Sequence, residues 1–231
     1  MQYAAKEVSR GMAKPTNRDL LRLKRLVRYL AAHPRLVFEY PFRAPPKSIQ
    51  VFVDAKWAGC LRIRKSTQGG VVCIAGCCIK SWSSTQSLIA LSSGESEYYG
   101  VVKGSSVGLG VQAMLKDLGF ELGLEIMTDA SAAKGIASRR GLGKTRHIAV
   151  HFLWVQERVQ SGDISLRKIW GGENPADLLT KTLDKNTMLK SFRVFGIKYM
   201  SGRADSAPAL ADDNDTAAQC AISCVVPHRR W

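Results

Sequence analysis

The sequence predicts an α/β fold, a mixed sheet covered by helices, and three observations lead to it. Three short β-prone runs crowd into residues 49–83, close enough to be joined by hairpins. Two later runs, 124–128 and 164–169, are set off from their neighbours by helical stretches, the spacing of strands joined through helices. Two of the runs, Val-Phe-Val-Asp-Ala (51–55) and Ile-Met-Thr-Asp-Ala (126–130), end on an aspartate. An acid where a strand stops is aimed at the rim of a sheet, where sites usually form.

Taken in order, the first predicted element is a helix over 17–32. Thr16 and Asp19 make a capping-box start, and Leu20, Leu23, Val27, Leu30 and Ala31 form one apolar stripe. His33-Pro34 ends it. A Pro-rich connector, 40–46, separates it from strands at 49–54, 70–75 and 78–83, with Ala75-Gly76 as the turn between the last two. A long helix over 93–118 follows, and its glycines (100, 104, 108, 110) suggest close packing on the sheet. Then come strand 124–128, a short helix at 131–138, a Gly- and Arg-rich loop, and a helix over 146–160. Strand 164–169 precedes Asn174-Pro175, a helix cap with a first-turn proline. The predicted units are a connector helix at 1–46, a main domain at 47–183, a helical extension at 184–201 and a disordered tail at 202–231.

The net charge of +15 over 231 residues, with a pI near 9.8, favours a polyanionic partner. Residues 1–50 carry 11 Lys/Arg against 3 Asp/Glu, so the charge is uneven. Six cysteines (60, 73, 77, 78, 220, 224) show no C-x-x-C spacing, and no secretory signal is read. A reducing, intracellular setting, cytoplasmic or nuclear and not secreted, is therefore expected. No run reaches the length of a bilayer span, so no membrane partner is expected.

Asp54 and Asp129 end the two strands; Glu97 and Asp177 fall on predicted helices that would converge on the same rim. Singly, each acid has an ordinary explanation as a cap, a first-turn anion or a solvated residue. Together they need cations. Unneutralised charges about 4 Å apart repel by about 4 kcal/mol at an effective dielectric near 20, and magnesium is the natural hard-ion solution. Helical periodicity does not choose between Glu97 and Glu95 as the helix acid.

Residues 51–183 resemble the ribonuclease H domain at the end of copia-type retrotransposon polyproteins. The runs that carry the resemblance are V-D-A-K-W-A-G (53–59), R-K-S-T-Q-G-G (64–70), S-W-S-S-T-Q (81–86), A-L-S-S-G-E-S-E-Y-Y (90–99), T-D-A-S-A (128–132), K-T-R-H-I (144–148) and N-P-A-D-L-L-T-K (174–181). The helix L-K-R-L-V-R-Y-L (23–30) is similar to the segment joining reverse transcriptase to this domain, while no Tyr-x-Asp-Asp polymerase signature occurs. The resemblance implies a ribonuclease H-like mixed five-stranded sheet and hydrolysis of RNA in RNA–DNA hybrids. It implies two Mg2+ ions, with Mn2+ as a substitute, held by Asp54, Glu97, Asp129 and Asp177. Asp54 would bridge both ions, Asp177 would share the one that activates water, and Glu97 and Asp129 would hold the other. The family pattern selects Glu97 over Glu95. Departures are Ala130, where related elements often carry Asn, and the basic, glycine-rich loop 139–143.

Arg62, Arg64 and Lys65, with Ser66 and Thr67 beside them, suit phosphate contacts, as do Lys144, Arg146 and His147. His147 and His151, four apart, offer two zinc ligands, but nothing at ligand spacing completes a zinc site. Trp57 is a candidate for stacking on sugar or base, and Trp82 for core packing. Expected partners are an RNA–DNA hybrid and the missing reverse transcriptase domain, with no small-molecule cofactor. The competing readings are a catalytically inactive nucleic-acid-binding relic and, more weakly, an integrase-like relative. Four retained acids favour the enzyme, since a pure binder gains nothing from a crowded carboxylate cluster.

Overall fold

The computed structural model describes residues 1–60, 62–143, 145–204 and 206. In chain order the elements are α1 (Gln2–Ser9), α2 (Asn17–Ala32), β1 (Arg35–Phe38), β2 (Ser48–Lys56), β3 (Thr67–Ile74), β4 (Cys77–Thr85) and α3 (Ser93–Asp117). They continue with β5 (Gly123–Thr128), α4 (Ser131–Ser138), α5 (Trp154–Gln160), β6 (Ile164–Lys168), α6 (Lys185–Phe195) and β7 (Ile197–Met200). Short 3-10 turns occupy Val150–Phe152, Gly171–Glu173 and Pro175–Leu179.

The predicted mixed five-stranded sheet is present, in the order β4-β3-β2-β5-β6. β2, β3 and β4 run antiparallel, whereas β5 pairs parallel with β2 and β6 parallel with β5. Alternation along β2 sends Ile49, Val51 and Val53 into the main core, where Ile126, Ile164, Tyr98 and Val101 meet them, all at most 1% exposed. Fully burying one such side chain contributes roughly 1.5–3 kcal/mol. The β3–β4 turn works because Ala75 and Gly76 both take positive φ, 51° and 68°, the twist-compatible hairpin geometry.

The glycines of α3 do bring it onto the sheet. A Cβ at Gly104 would lie 2.4 Å from Val53 Cγ1, and one at Gly108 would lie 2.6 Å from Leu124 Cδ1. Gly110, by contrast, faces open space. On the other sheet face Val71, Cys73 and Cys78 pack with Leu179 and Phe195, so α6 covers that side. Cys60, Cys73, Cys77 and Cys78 are free thiols. Among the described residues no helix is long and apolar enough to cross a membrane.

Several elements differ from expectation. Residues 146–149 are not helical; α5 begins only at Trp154. Arg139 bonds both the Leu142 carbonyl and Thr145 Oγ1 at 2.6 Å, and Thr145 N and Ile148 N bond carbonyls three residues back. Those turn bonds hold the segment out of an α-helix. Asp177 sits in a five-residue 3-10 turn rather than an α-helix. The segment 184–200 is a helix followed by a strand: Gly196 ends α6 in the left-handed region (φ +66°), and β7 then pairs with β1. α1 and the β1–β7 pair have no counterpart in the sequence reading. Tyr29 and Tyr199 hydroxyls meet at 2.7 Å beside that pair. The tail beyond residue 206 lies outside the described residues.

Candidate active site

Strand pairing does the first part of the assembly. Phe52 pairs with Met127 across the parallel β2–β5 ladder, so the same stagger carried two residues onward brings Asp54 level with Asp129. The turn that carries Asp177 is tied to the same place by Asn174. Its Nδ2 donates to the Val53 carbonyl at 2.9 Å, and its Oδ1 accepts from Ala176 N at 3.1 Å. One oxygen from each of Asp54, Asp129 and Asp177 lies within 4.8 Å of the others. Among the described residues this is the one cluster of three or more metal-ligating side chains.

Each acid has distinct support. Asp54 is 3% exposed and accepts a hydrogen bond on Oδ2 from Thr180 Oγ1. Asp129 is half-buried, and a Cβ at position 171 would stand 3.0 Å from its Oδ2, so Gly171 leaves the carboxylate its room. Asp177 Oδ1 lies 2.8 Å from Lys181 Nζ, an ion pair without hydrogen-bond geometry. The same ammonium lies 3.8 Å from Asp54 Oδ2.

Glu97 stands beside this group rather than within it. It is 9% exposed, and its Oε2 accepts from Ala55 N at 3.1 Å, next to Asp54 in the chain. Burial first, then the fields of Asp54 and Asp129, push its carboxyl up to about 9. Burial and the charges of Asp54 and Asp129 likewise raise Asp177 to about 6, against the pull of Lys181. Burial lowers the Lys181 ammonium, but Asp177, Asp54 and Asp129 outweigh it and raise it overall. The site thus holds more negative charge than its one ammonium offsets.

Glu95 is engaged elsewhere. Its carboxylate accepts from Leu91 N at 2.8 Å and Tyr99 Oη at 2.7 Å, and lies 2.8 Å from His147 Nε2. It is 2% exposed and fastens the first turn of α3 to the loop before α5.

The basic residues divide. Arg62, Arg64 and Arg146 are exposed and Lys65 is half-exposed. Ser66 and Thr67 are not on the surface: they are 0% and 1% exposed. Ser66 Oγ accepts from Ala58 N at 3.1 Å, and Thr67 Oγ1 accepts from Lys6 Nζ at 2.6 Å. Neither side chain faces solvent, contrary to the expected phosphate contacts: Ser66, just before β3, is held by Ala58 and Thr67, the first residue of β3, by Lys6. Lys144 lies outside the described residues. His147 and His151 do not share a helix; the His151 ring lies against Phe152, centroids 4.1 Å apart and planes tilted by 44°. Trp57 is half-exposed and its Nε1 donates to the Ala90 carbonyl at 2.9 Å, while Trp82 packs against the core.

The sequence reading missed Thr180, Lys181, Gly171 and the double role of Asn174. The signal for Lys181 was its place four residues after Asp177, a spacing that brings side chains together on a turn of helix.

No protein-family model matches the chain. It is 31% identical over 189 residues to the retrovirus-related Pol polyprotein from transposon RE1 of Arabidopsis thaliana, covering 80% of this chain and 13% of that one. The chain is thus similar in sequence to retrovirus-related Pol polyproteins. The Pol polyprotein from transposon RE2 of the same plant is 30% identical over 201 residues, 85% of this chain and 14% of the relative. That from transposon TNT 1-94 of Nicotiana tabacum is 27% identical over 186 residues, 80% and 14%. The chain spans about one seventh of the length of these relatives. Among solved structures it is similar to the N-terminal ribonuclease H domain of rv2228c from Mycobacterium tuberculosis, at 14% identity and a TM-score of 0.40 over 63% of this chain and 96% of that one. LC11-RNase H1 in complex with RNA/DNA hybrid is similar at 13% identity and a TM-score of 0.39 over 58% and 94%.

Proposed function

We propose that residues 47–183 form a metal-dependent endoribonuclease domain that hydrolyses the RNA strand of RNA–DNA hybrids. The observation that carries this reading is the convergence of Asp54, Asp129 and Asp177 within 4.8 Å, with buried Glu97 alongside. The donor set fits a divalent hard cation: the oxygens are carboxylate, close together and short of positive charge. Asp54, Asp129 and Asp177 would hold Mg2+ or Mn2+ directly, and Glu97 completes the set from α3. A divalent ion there supplies Lewis acidity, lowering the pKa of a bound water and stabilising charge on the leaving oxygen.

The chain's own groups do the rest. Asn174 and Thr180 lock the Asp177 turn against β2, so the carboxylates stay aimed at one point without substrate. Arg62, Arg64, Lys65 and Arg146 offer cationic contacts to phosphates along the duplex, with Lys144 proposed to join them. Recognition rests on groove shape and 2′-hydroxyls rather than base edges. His147, pinned to Glu95, presents a half-exposed imidazole on the proposed substrate side.

The test is a cleavage assay on a labelled RNA–DNA hybrid with the purified chain. Cleavage of the RNA strand in Mg2+, absent in EDTA and in Asp54→Asn, is expected. A folded wild-type chain that binds hybrid and cuts nothing in Mg2+ or Mn2+ would leave the inactive-relic reading in its place.

A further inference from the structure

The ammonium of Lys181 stands where a metal's charge would act. It is 2.8 Å from Asp177 Oδ1 and 3.8 Å from Asp54 Oδ2, two of the three clustered acids. Its position follows from the turn: Lys181 N bonds the Asp177 carbonyl at 3.1 Å, which brings the side chain back over that carboxylate. The side chain is 39% exposed, so it has a route out to solvent. Thr180, its neighbour, is fully buried and bonded to Asp54, so the backbone at this point is held while the lysine side chain is part-exposed.

We infer that Lys181 is a built-in counter-cation that occupies the Asp54–Asp177 side of the site and must be displaced when a divalent ion binds there. The inference rests on the reading of these acids as metal ligands. The three clustered carboxylates repel strongly when nothing neutralises them. A tethered ammonium relieves that repulsion and holds the acids together before any ion arrives. The same ammonium opposes the ion, because a cation entering between Asp54 and Asp177 meets a like charge at coordinating distance. Lys181 is thus a positioning residue with two opposed effects: it stabilises the metal-free protein and weakens divalent affinity. On this account the ion next to Asp177 is the more weakly held of any pair, since Asp129 has no such competitor among the ion pairs of the described residues.

The experiment is Mn2+ binding to the full chain by titration calorimetry, together with thermal unfolding in EDTA and in Mn2+. Lys181→Met removes the charge; Lys181→Gln removes it while keeping a polar tip, and serves if the methionine variant does not fold. Asp54→Asn is the control for the site itself. The expected result is Mn2+ affinity raised roughly five- to tenfold in the Lys181 variants, the scale of one partly screened charge at close range. They should also melt lower than wild type in EDTA and close that gap in Mn2+. Unchanged or weaker Mn2+ affinity in both variants, with wild type binding and Asp54→Asn not, overturns the counter-cation role alone. No Mn2+ binding by wild type or by either variant overturns the metal-site reading itself, and this inference with it.

Discussion

The side-chain amide of Asn174 donates to the backbone carbonyl of Val53 at 2.9 Å, joining two residues 121 apart in sequence within the buried interior. Val53 immediately precedes Asp54, and Asn174 caps the turn that carries Asp177. That side chain, together with the Thr180 hydroxyl on Asp54, ties two of the acids to each other.

Asn174→Leu should show what that contact contributes. It strands the Val53 carbonyl and removes the cap on Ala176 N. An unsatisfied buried acceptor costs about 1–3 kcal/mol and a lost cap about 1 kcal/mol. Urea unfolding should report a loss of about 2–4 kcal/mol, and cleavage should fall mainly in kcat. Stability within 0.5 kcal/mol of wild type would show that the amide is not the tie described.

Glu97 and Glu95 separate cleanly by substitution. Glu97→Gln should abolish metal-dependent cleavage while the chain remains folded. Glu95→Gln should retain cleavage but unfold more easily, by about 1–3 kcal/mol, because Leu91 N, Tyr99 and His147 lose a charged acceptor. Cleavage lost in Glu95→Gln and kept in Glu97→Gln would reverse the two assignments.

Metal-free stability should depend on pH. Glu97 is held up to about 9 and Asp177 up to about 6, in each case by burial first. Folded, these groups keep protons that the unfolded chain releases near its ordinary values of 4.5 and 3.8. The favourable contribution is complete below those values and is lost as pH rises towards 6 for Asp177 and 9 for Glu97. The slope is about 1.4 kcal/mol per pH unit for each retained proton. Chemical denaturation in EDTA should therefore show stability falling from pH 6.5 to 8.5, with Glu97→Gln flattening that range. A flat wild-type profile there would count against the charge crowding described.

The exposed and buried members of the basic segment should behave differently. Arg62→Ala and Arg64→Ala should weaken hybrid binding and reduce the salt slope by about one each. Ser66→Ala should leave the slope alone and reduce stability, since it strands Ala58 N. A salt slope unchanged by either arginine would remove them from the interface.

How far the sequence could be read depended on the range of the interactions involved. The bounds of α2 were legible because Thr16 and Asp19 cap each other within three residues. The apolar runs ending at Asp54 and Asp129 were legible, and the parallel β2–β5 stagger sets those two acids level, but β2 continues past Asp54 to Lys56 along β3, which the run itself did not mark. β1 and β7 were not legible: they are four-residue strands whose partners lie at opposite ends of the described chain, and nothing local marks either. Ile148, Phe152 and Val155 mimic a helix stripe, yet Arg139 and Thr145 impose turns ahead of α5. Ser66 and Thr67 resemble surface neighbours of arginines until Lys6 of α1 covers one and Ala58 takes the other. Periodicity left Glu95 and Glu97 equal. Contacts with Tyr99 and His147 on one side, and Ala55 on the other, distinguish them.

The central claim is that Asp54, Asp129 and Asp177, with Glu97, form a divalent-cation site. Anomalous scattering from crystals grown with Mn2+ tests it most directly. The account predicts peaks between the Asp54, Asp129 and Asp177 carboxylates, with Lys181 swung away from Asp177. Well-ordered acids with no anomalous peak between them, at Mn2+ concentrations that support binding in solution, would contradict it.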